Sequence, residues 1–417
     1  MAPNRNRMEA QEVRLFTGYP RVLHAGGCLG GRRVERSVES LAGQPRTYDP
    51  AMPTPTGPRP RPANLLSLDY RAEGARLGAP IVPIIDAHAH INGPSAARIY
   101  REAREMFGVT VTYSQTRLSQ AEEIRKVLGD SVRFVAVPDY YSSDRRHAFT
   151  DGYLSDIRAW HALGARMLKF WCAPRGRDFA REAGDANLLA LDSPARRRQM
   201  DLAASLGMMF MAHIADPDTW FATKYRDASK YGTKLSQYEP LERLGEEYRV
   251  NWMLAHMGGW PEDLEFLDGL LSRHSNFYLD TSATKWMVRE LSRHPAPALI
   301  SFLRKWAGRI FFGSDIVTLD EHLTPEKGPR NMAEGAGSPE EAFELYASRY
   351  WALRTLFETK YDGPSPIADP DLQMLEPEKY DAMSSPRLRG IGLDKEMLRV
   401  LYRDAATAVL ERAYGAA

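Results

Sequence analysis

The chain reads as an α/β protein of the (β/α)8-barrel type, and three observations carry that reading. From about residue 80, short apolar runs of strand length alternate with longer amphipathic stretches. Strict alternation of strand and helix implies parallel pairing through right-handed crossovers. The third observation is the number of runs: eight strands close a barrel, and positions 81–315 span about 235 residues, near the roughly 250 usual for such barrels. A doubly wound open sheet shares the alternation, so the decision rests on where the polar residues fall.

The strand candidates are IVPIIDAHAH (81–90), VTVTYS (109–114), VRFVAVPDY (132–140), RMLKFWC (166–172), MMFMAHI (208–214), NWMLAHM (251–257), NFYLDTS (276–282) and RIFFGSD (309–315). Each is rich in β-branched, aromatic or other apolar residues. Between them, 95–107 places Ala97, Tyr100, Ala103 and Phe107 near one helical face. The stretch 118–130 opens with Ser119 as an N-cap type residue and reaches Gly129 at its end. Stretches 193–207, 261–274 and 286–308 have the same character, and Pro295 and Pro297 are expected to break the last in two. Two connections, 215–240 and 316–338, exceed ordinary loop length and follow strand ends, where barrel enzymes carry their active-site loops. The remainder, 340–417, reads as a helix, an irregular Pro-bearing stretch and a final helix.

Residues 1–79 are expected to form a largely irregular N-terminal extension before a barrel at 80–417. The extension is rich in Arg, Gly and Pro, with six prolines between Pro50 and Pro62. A disordered or extended tail, a later start of translation and a clasp on a neighbouring subunit all suit that composition.

The 417 residues carry a formal net charge of +1, which argues against a general nucleic-acid binder or a polybasic membrane protein. Cys28 and Cys172 are the two cysteines; with no CxxC spacing, a disulfide framework and a thiolate metal site are both disfavoured. No run of about 18 apolar residues exists to cross a membrane, and the N-terminus lacks a secretory apolar stretch, so a cytoplasmic location is expected.

Asp86, His88 and His90 are spaced by two at the end of an apolar run. Strand alternation would point all three to one face, where two imidazoles can reach one ion. His213 ends the fifth run and His256 the sixth, each in apolar surroundings where an imidazole is costly unless bonded. Gly258 and Gly259 permit a tight turn after His256. Asp315 closes the eighth run behind Ile310, Phe311 and Phe312, where a carboxylate needs a partner. Taken singly, a core histidine or a turn-forming aspartate is the plainer reading. Together they lie at the C-terminal ends of four predicted barrel strands, the positions that carry chemistry. The set His88, His90, His213 and Asp315 suits one divalent ion, Zn²⁺ first, with Mn²⁺, Fe²⁺ or Co²⁺ as alternatives.

The ordered motifs DAHAHI, AHIADP, AHMGGWP and FFGSD resemble the amidohydrolase superfamily. The likeness is to its amidohydrolase-related branch, which includes aminocarboxymuconate-semialdehyde decarboxylase. The resemblance covers about residues 80–415. It implies that His88 and His90 are the first-strand metal pair, His213 the fifth-strand ligand, and Asp315 a metal-binding acid able to shuttle a proton. It implies that His256 polarises substrate or acts as acid/base. Lys169, ending the fourth run, is where other branches carry a carbamylated lysine bridging two metals. A substrate-carboxylate contact, a structural ion pair and that bridge are the three roles weighed for it. Trp171, Trp220 and Trp286 are candidate substrate contacts, with loop packing as the alternative. The chain departs from the family pattern in its Pro-rich leader and its two long loops. A homodimer is an arrangement the resemblance admits.

Three functions follow. The first is hydrolysis of a small-molecule ester, lactone or amide by metal-activated water, with Asp315 accepting the water proton and His256 assisting. The second is non-oxidative decarboxylation of an aromatic or unsaturated carboxylic acid, and the third a non-catalytic metal- or ligand-binding barrel.

Overall fold

The computed structural model of the chain describes residues 60–325 and 335–415. The first 59 residues, with Cys28 and the prolines up to Pro58, lie outside the described residues, as do 326–334 of the expected loop 316–338. The described part, from Pro60 onward, is one compact unit.

Nine strands form the frame: β1 (Ile84–Ile91), β2 (Val109–Ser114), β3 (Val132–Phe134), β4 (Met167–Trp171), β5 (Met209–His213), β6 (Trp252–Leu254), β7 (Phe277–Asp280), β8 (Ile310–Phe311) and β9 (Ile316–Thr318). They pair in parallel in two sheets, in the orders β3-β2-β1-β9 and β4-β5-β6-β7-β8. Backbone hydrogen bonds cross both gaps between the sheets. At one gap, Ala136 N donates to Met167 O (2.9 Å) and Lys169 N to Ala136 O (2.9 Å); at the other, Ala87 N donates to Phe312 O (2.8 Å) and Asp315 N to His88 O (2.7 Å). The expected α/β order of eight strand segments with intervening helices is therefore present, divided into two sheets.

A shared apolar cluster lies against both sheets. Ile85, Ala87, Tyr113, Met167, Met209, Met211, Met253 and Phe311 belong to it. The C-terminal helical segment adds Ala405, Ala406 and Leu410 to the same cluster, its backbone widening into π-type turns at Val400–Asp404 and Thr407–Glu411. The long helix Pro339–Glu358, capped by Ser338, packs on the helix Pro94–Met106, and Tyr350 and Tyr100 join them by a hydroxyl–hydroxyl bond of 2.7 Å. The described end of the N-terminal extension is tied to that long helix. Helix Tyr70–Leu77 is capped by Asp69; Arg61 pairs with Glu344 at 2.6 Å, and Trp351 Nε1 donates to Glu73 at 2.8 Å.

Several local expectations change. The third strand ends at Phe134, well short of Tyr140. Ser119 is not an N-cap: a 3-10 turn covers Leu118–Gln120 and the helix starts at Ala121 behind Gln120. The eighth run breaks after Phe311, Asp315 takes a left-handed backbone (φ 59°), and the chain resumes at Ile316 as β9 beside β1. The stretch expected as loop 316–338 thus begins as a strand. Pro295 splits 286–308 as expected, into Thr284–Leu291 and Ala296–Lys305.

Candidate metal centre

The site is built at the C-terminal ends of the strands, and β1 supplies its first two side chains. The pairing of β1 with β2 shifts register between Asp86 and Ala89. This bulge divides the three residues expected on one face. Ile85 and Ala87 belong to the interior cluster, and Asp86 turns outward to accept from the Tyr350 hydroxyl (2.8 Å) on the helix Pro339–Glu358. Beyond the bulge, His88 and His90 turn to the site. Asp86 is thus not a companion of the two histidines. Its buried carboxylate is satisfied by four donors, with His88 N (3.1 Å), Ser314 N (3.0 Å) and Ser314 Oγ (2.6 Å) joining Tyr350. Burial pushes its pKa up to about 6 against those bonds.

The two imidazoles converge on Asp315. Its Oδ1 lies 3.4 Å from His88 Nε2 and 3.2 Å from His90 Nε2. The potential ligand atoms of His88, His90 and Asp315 all lie within 4.8 Å of one another. Burial alone would push the Asp315 carboxyl up, but the His90 hydrogen bond and the His256, His88 and His90 rings outweigh it and hold it well below the carboxylate range.

Asp280, at the end of β7, was not singled out from the sequence, yet it organises the centre. Fully buried, it accepts from His88 Nδ1 (Oδ2, 2.9 Å), from the His256 backbone N–H (Oδ1, 2.9 Å) and from Ser282 Oγ. Burial would raise its carboxyl, but the neighbouring His88 imidazole with its hydrogen bond, and then the His256 ring, hold it well below the ordinary value. With Nδ1–H given to Asp280, His88 carries its lone pair on Nε2, the atom facing Asp315. The available signal was the strand-end acid in LDTS, the same pattern as Asp315 in GSD.

His256 follows β6 in a left-handed conformation (φ 60°), with Gly258 (φ 65°) and Gly259 (φ 82°) completing the turn. Ser282 Oγ lies 2.7 Å from its Nδ1. Because that hydroxyl donates to Asp280, it accepts from His256 Nδ1–H, and the His256 Nε2 is left as an acceptor. Burial, then the nearby His213 ring, pushes the His256 pKa well below its usual value, so the ring is neutral near pH 7. His256, Ala283 and Asp315 are three of the few non-glycine residues at positive φ among the described residues, and all three follow strand ends.

His213 stands apart from the ligand triplet. Its ring lies edge-on to His256, centroids 4.5 Å apart. Its Nε2 is engaged by Asp216 Oδ1 (3.0 Å), whose Oδ2 accepts from the Tyr225 hydroxyl (2.7 Å) of the long segment after β5. Lys169, expected to end the fourth run, is buried in the middle of β4, which continues to Trp171; burial pulls its pKa down to about 8, against the raising pull of Asp280 and Asp315. Of the tryptophans, Trp286 lies nearest the centre, its ring 6.2 Å from that of His256, with Nε1 donating to Glu262 (2.9 Å). Trp220 donates to Asp371 (2.8 Å), and Trp171 packs on Tyr140 and Phe179. Each of the three thus makes a packing or hydrogen-bonding contact, Trp171 from the end of β4, Trp220 from the helix Asp218–Ala222 and Trp286 from the helix Thr284–Leu291.

The donor set fits a divalent ion. His88 Nε2 is buried and makes no hydrogen bond, although its ring is oriented by Asp280 and its lone pair faces a carboxylate and a second imidazole. His88, His90 and Asp315 would hold such an ion.

No family model matches the chain, and no curated protein matches it. Among solved structures, the chain is similar to a probable 2-pyrone-4,6-dicarboxylic acid hydrolase from Acinetobacter baumannii with citric acid bound (13% identity, TM-score 0.41, 80% of this chain and 100% of that one). It is also similar to 5-carboxyvanillate decarboxylase from Novosphingobium aromaticivorans, complexed with manganese (10% identity, TM-score 0.40, 82% and 97% covered). A third is an amidohydrolase from Burkholderia multivorans with bound zinc (12% identity, TM-score 0.36, 80% and 99% covered). No helix among the described residues is long and apolar enough to cross a membrane.

Proposed function

We propose that the chain is a metal-dependent hydrolase of a small-molecule ester, lactone or amide, with one divalent ion, Zn²⁺ first, held by His88, His90 and Asp315. The observation that carries this is the His88 imidazole, anchored at Nδ1 by Asp280 while its buried Nε2 faces His90 and Asp315 without a hydrogen bond. A divalent ion held there would supply Lewis acidity and would make water a nucleophile available near neutral pH.

The protein's own groups divide the remaining work. Asp315, ionised across the physiological range, accepts the proton of the attacking water. His256, neutral and with Nε2 as acceptor, shares the proton traffic beside His88, whose ring centroid lies 5.0 Å from its own. Lys169 keeps most of its charge near pH 7 and offers an ammonium to a substrate carboxylate. Trp286 flanks His256 as an apolar wall.

Lys169 also favours a second reading, non-oxidative decarboxylation of an aromatic or unsaturated carboxylic acid, since a buried ammonium beside the centre suits an anionic substrate. Metal content and turnover test both. About one equivalent of metal in wild type, lost in the His88→Ala, His90→Ala double variant, is the expected result. Release of acid from lactones, esters or amides supports hydrolysis; release of carbon dioxide from aryl carboxylates transfers the assignment to the lyase. A folded wild-type chain that takes up no metal overturns the proposal.

A further inference from the structure

The turn that presents Asp315 is held from outside the centre. Gly313, Ser314 and Asp315 leave β8 and swing back toward β1, and Asp315 itself has φ 59°, a left-handed conformation uncommon for non-glycine residues although Asp is among those that adopt it most readily. Three hydrogen bonds hold it. Asp315 N donates to His88 O (2.7 Å), Ser314 N donates to Asp86 Oδ1 (3.0 Å), and Ser314 Oγ donates to Asp86 Oδ2 (2.6 Å). A Cβ on Gly313 would come within 3.2 Å of the His88 and Ser282 Cβ atoms, so the turn lies flush against the residues it serves.

Asp86 is therefore a clamp between β1 and this turn, and its own orientation depends on a residue distant in sequence. Its Oδ1 is shared by His88 N and Ser314 N, and its Oδ2 by Ser314 Oγ and the Tyr350 hydroxyl. Tyr350 is fully buried in the middle of the helix Pro339–Glu358. The Tyr100 hydroxyl stands 2.7 Å from that of Tyr350 and 2.8 Å from Thr112 Oγ1, which adds the helix Pro94–Met106 and β2 to the chain of bonds. Tyr350 makes no direct contact with the ligand triplet; its path to Asp315 runs through Asp86 and Ser314.

We infer that Tyr350 is a positioning residue for the metal centre: through Asp86 and Ser314 it fixes the left-handed turn that sets the Asp315 carboxylate opposite His88 and His90. The inference rests on the reading of His88, His90 and Asp315 as metal ligands. Removing the Tyr350 hydroxyl leaves Asp86 Oδ2 with Ser314 Oγ alone and Oδ1 with its two backbone donors, so the carboxylate loses its tie to the long helix and the turn loosens while every ligand stays in the sequence. Outer partners that orient ligands in this way are commonly worth about 10–100-fold in metal affinity.

The test is metal affinity of the full chain, read by competition with a chromophoric chelator for Zn²⁺, together with the visible absorption of the Co²⁺-loaded protein. The variants are Tyr350→Phe and Ser314→Ala, each checked for folding by its thermal transition. The expected result is a loss of about 10–100-fold in Zn²⁺ affinity for both, with an altered Co²⁺ spectrum. A purely structural tyrosine would lower the thermal transition and leave affinity and spectrum as in wild type; that result overturns the inference while leaving the metal reading intact. Should Tyr350→Phe not fold, Ser314→Ala decides, since it removes the inner link of the same path. Wild-type protein that takes up no metal overturns the metal reading and this inference with it.

Discussion

Two strand histidines, His88 within β1 and His213 at the end of β5, have similar surroundings in the sequence and different hydrogen bonding in the fold. His88 has Nδ1 fixed by Asp280 and Nε2 buried, unbonded and facing Asp315. His213 has Nε2 already engaged by Asp216, which Tyr225 holds from the segment after β5. On the β1–β7–β8 side Asp280 takes Nδ1 and leaves Nε2 turned to Asp315, whereas on the β5 side Asp216 takes Nε2 itself. The two histidines differ in which ring nitrogen the neighbouring carboxylate occupies, Nδ1 in His88 and Nε2 in His213. That choice is set by residues far away in sequence.

The largest effect that would break this contrast is expected at Asp315. Asp315→Asn should lower turnover on an identified substrate by about 10²–10⁴-fold; full turnover in a folded variant would remove Asp315 from its proton-accepting role. Next is Asp280→Asn, which takes the charged acceptor from His88 Nδ1 and should weaken metal binding about 10–100-fold in a chelator competition. Asp216→Asn releases His213 instead and should alter affinity by less than about tenfold. A loss there equal to that at Asp280 would make the two sides equivalent.

The smallest effect concerns the segment after β5 through Lys224. Burial pulls its pKa down to about 8 from 10.5, while Asp371 and then Asp216 pull it back up. Between about pH 8 and 10.5 the unfolded chain keeps this proton and the folded chain releases it, so stability rises with pH across the window and is lost as pH falls through about 8. Urea midpoints at pH 7.5 and 9.5 should show wild type gaining relative to Lys224→Met; equal midpoint differences at the two pH values would show that Lys224 is not desolvated there.

Much of this architecture was legible because it depends on period. Strand-length apolar runs, helix faces and the Pro295 break are properties of short windows, and they survive folding. The chemistry at strand ends was legible as residue types: His88, His90, His256 and Asp315 do gather. What was not legible depends on register and on partners. The bulge in β1 that separates Asp86 from the two histidines leaves no local mark, since DAHAH alternates perfectly on paper. Asp280 was hidden by its ordinary appearance, an acid ending a strand before Thr and Ser, and its importance arises only when β7 lies beside β6 and near β1. Ser119 failed as a cap because a 3-10 turn intervened before the helix.

The left-handed backbone at Asp315 has a consequence for how this centre can vary by descent. Among side chains, Asp and Asn tolerate that conformation well, and glycine tolerates it best. Glutamate, the usual conservative replacement for a carboxylate, meets two obstacles here: a poorer fit to the backbone and an extra methylene that displaces its oxygens from His88 and His90. The substitutions accessible at position 315 are therefore either silent to the backbone and ruinous to the charge, as with Asn and Gly, or faithful to the charge and resisted by the backbone, as with Glu. A lineage carrying this turn has no easy intermediate, and exchanging one acid for the other would require the path through Ser314, Asp86 and Tyr350 to change with it.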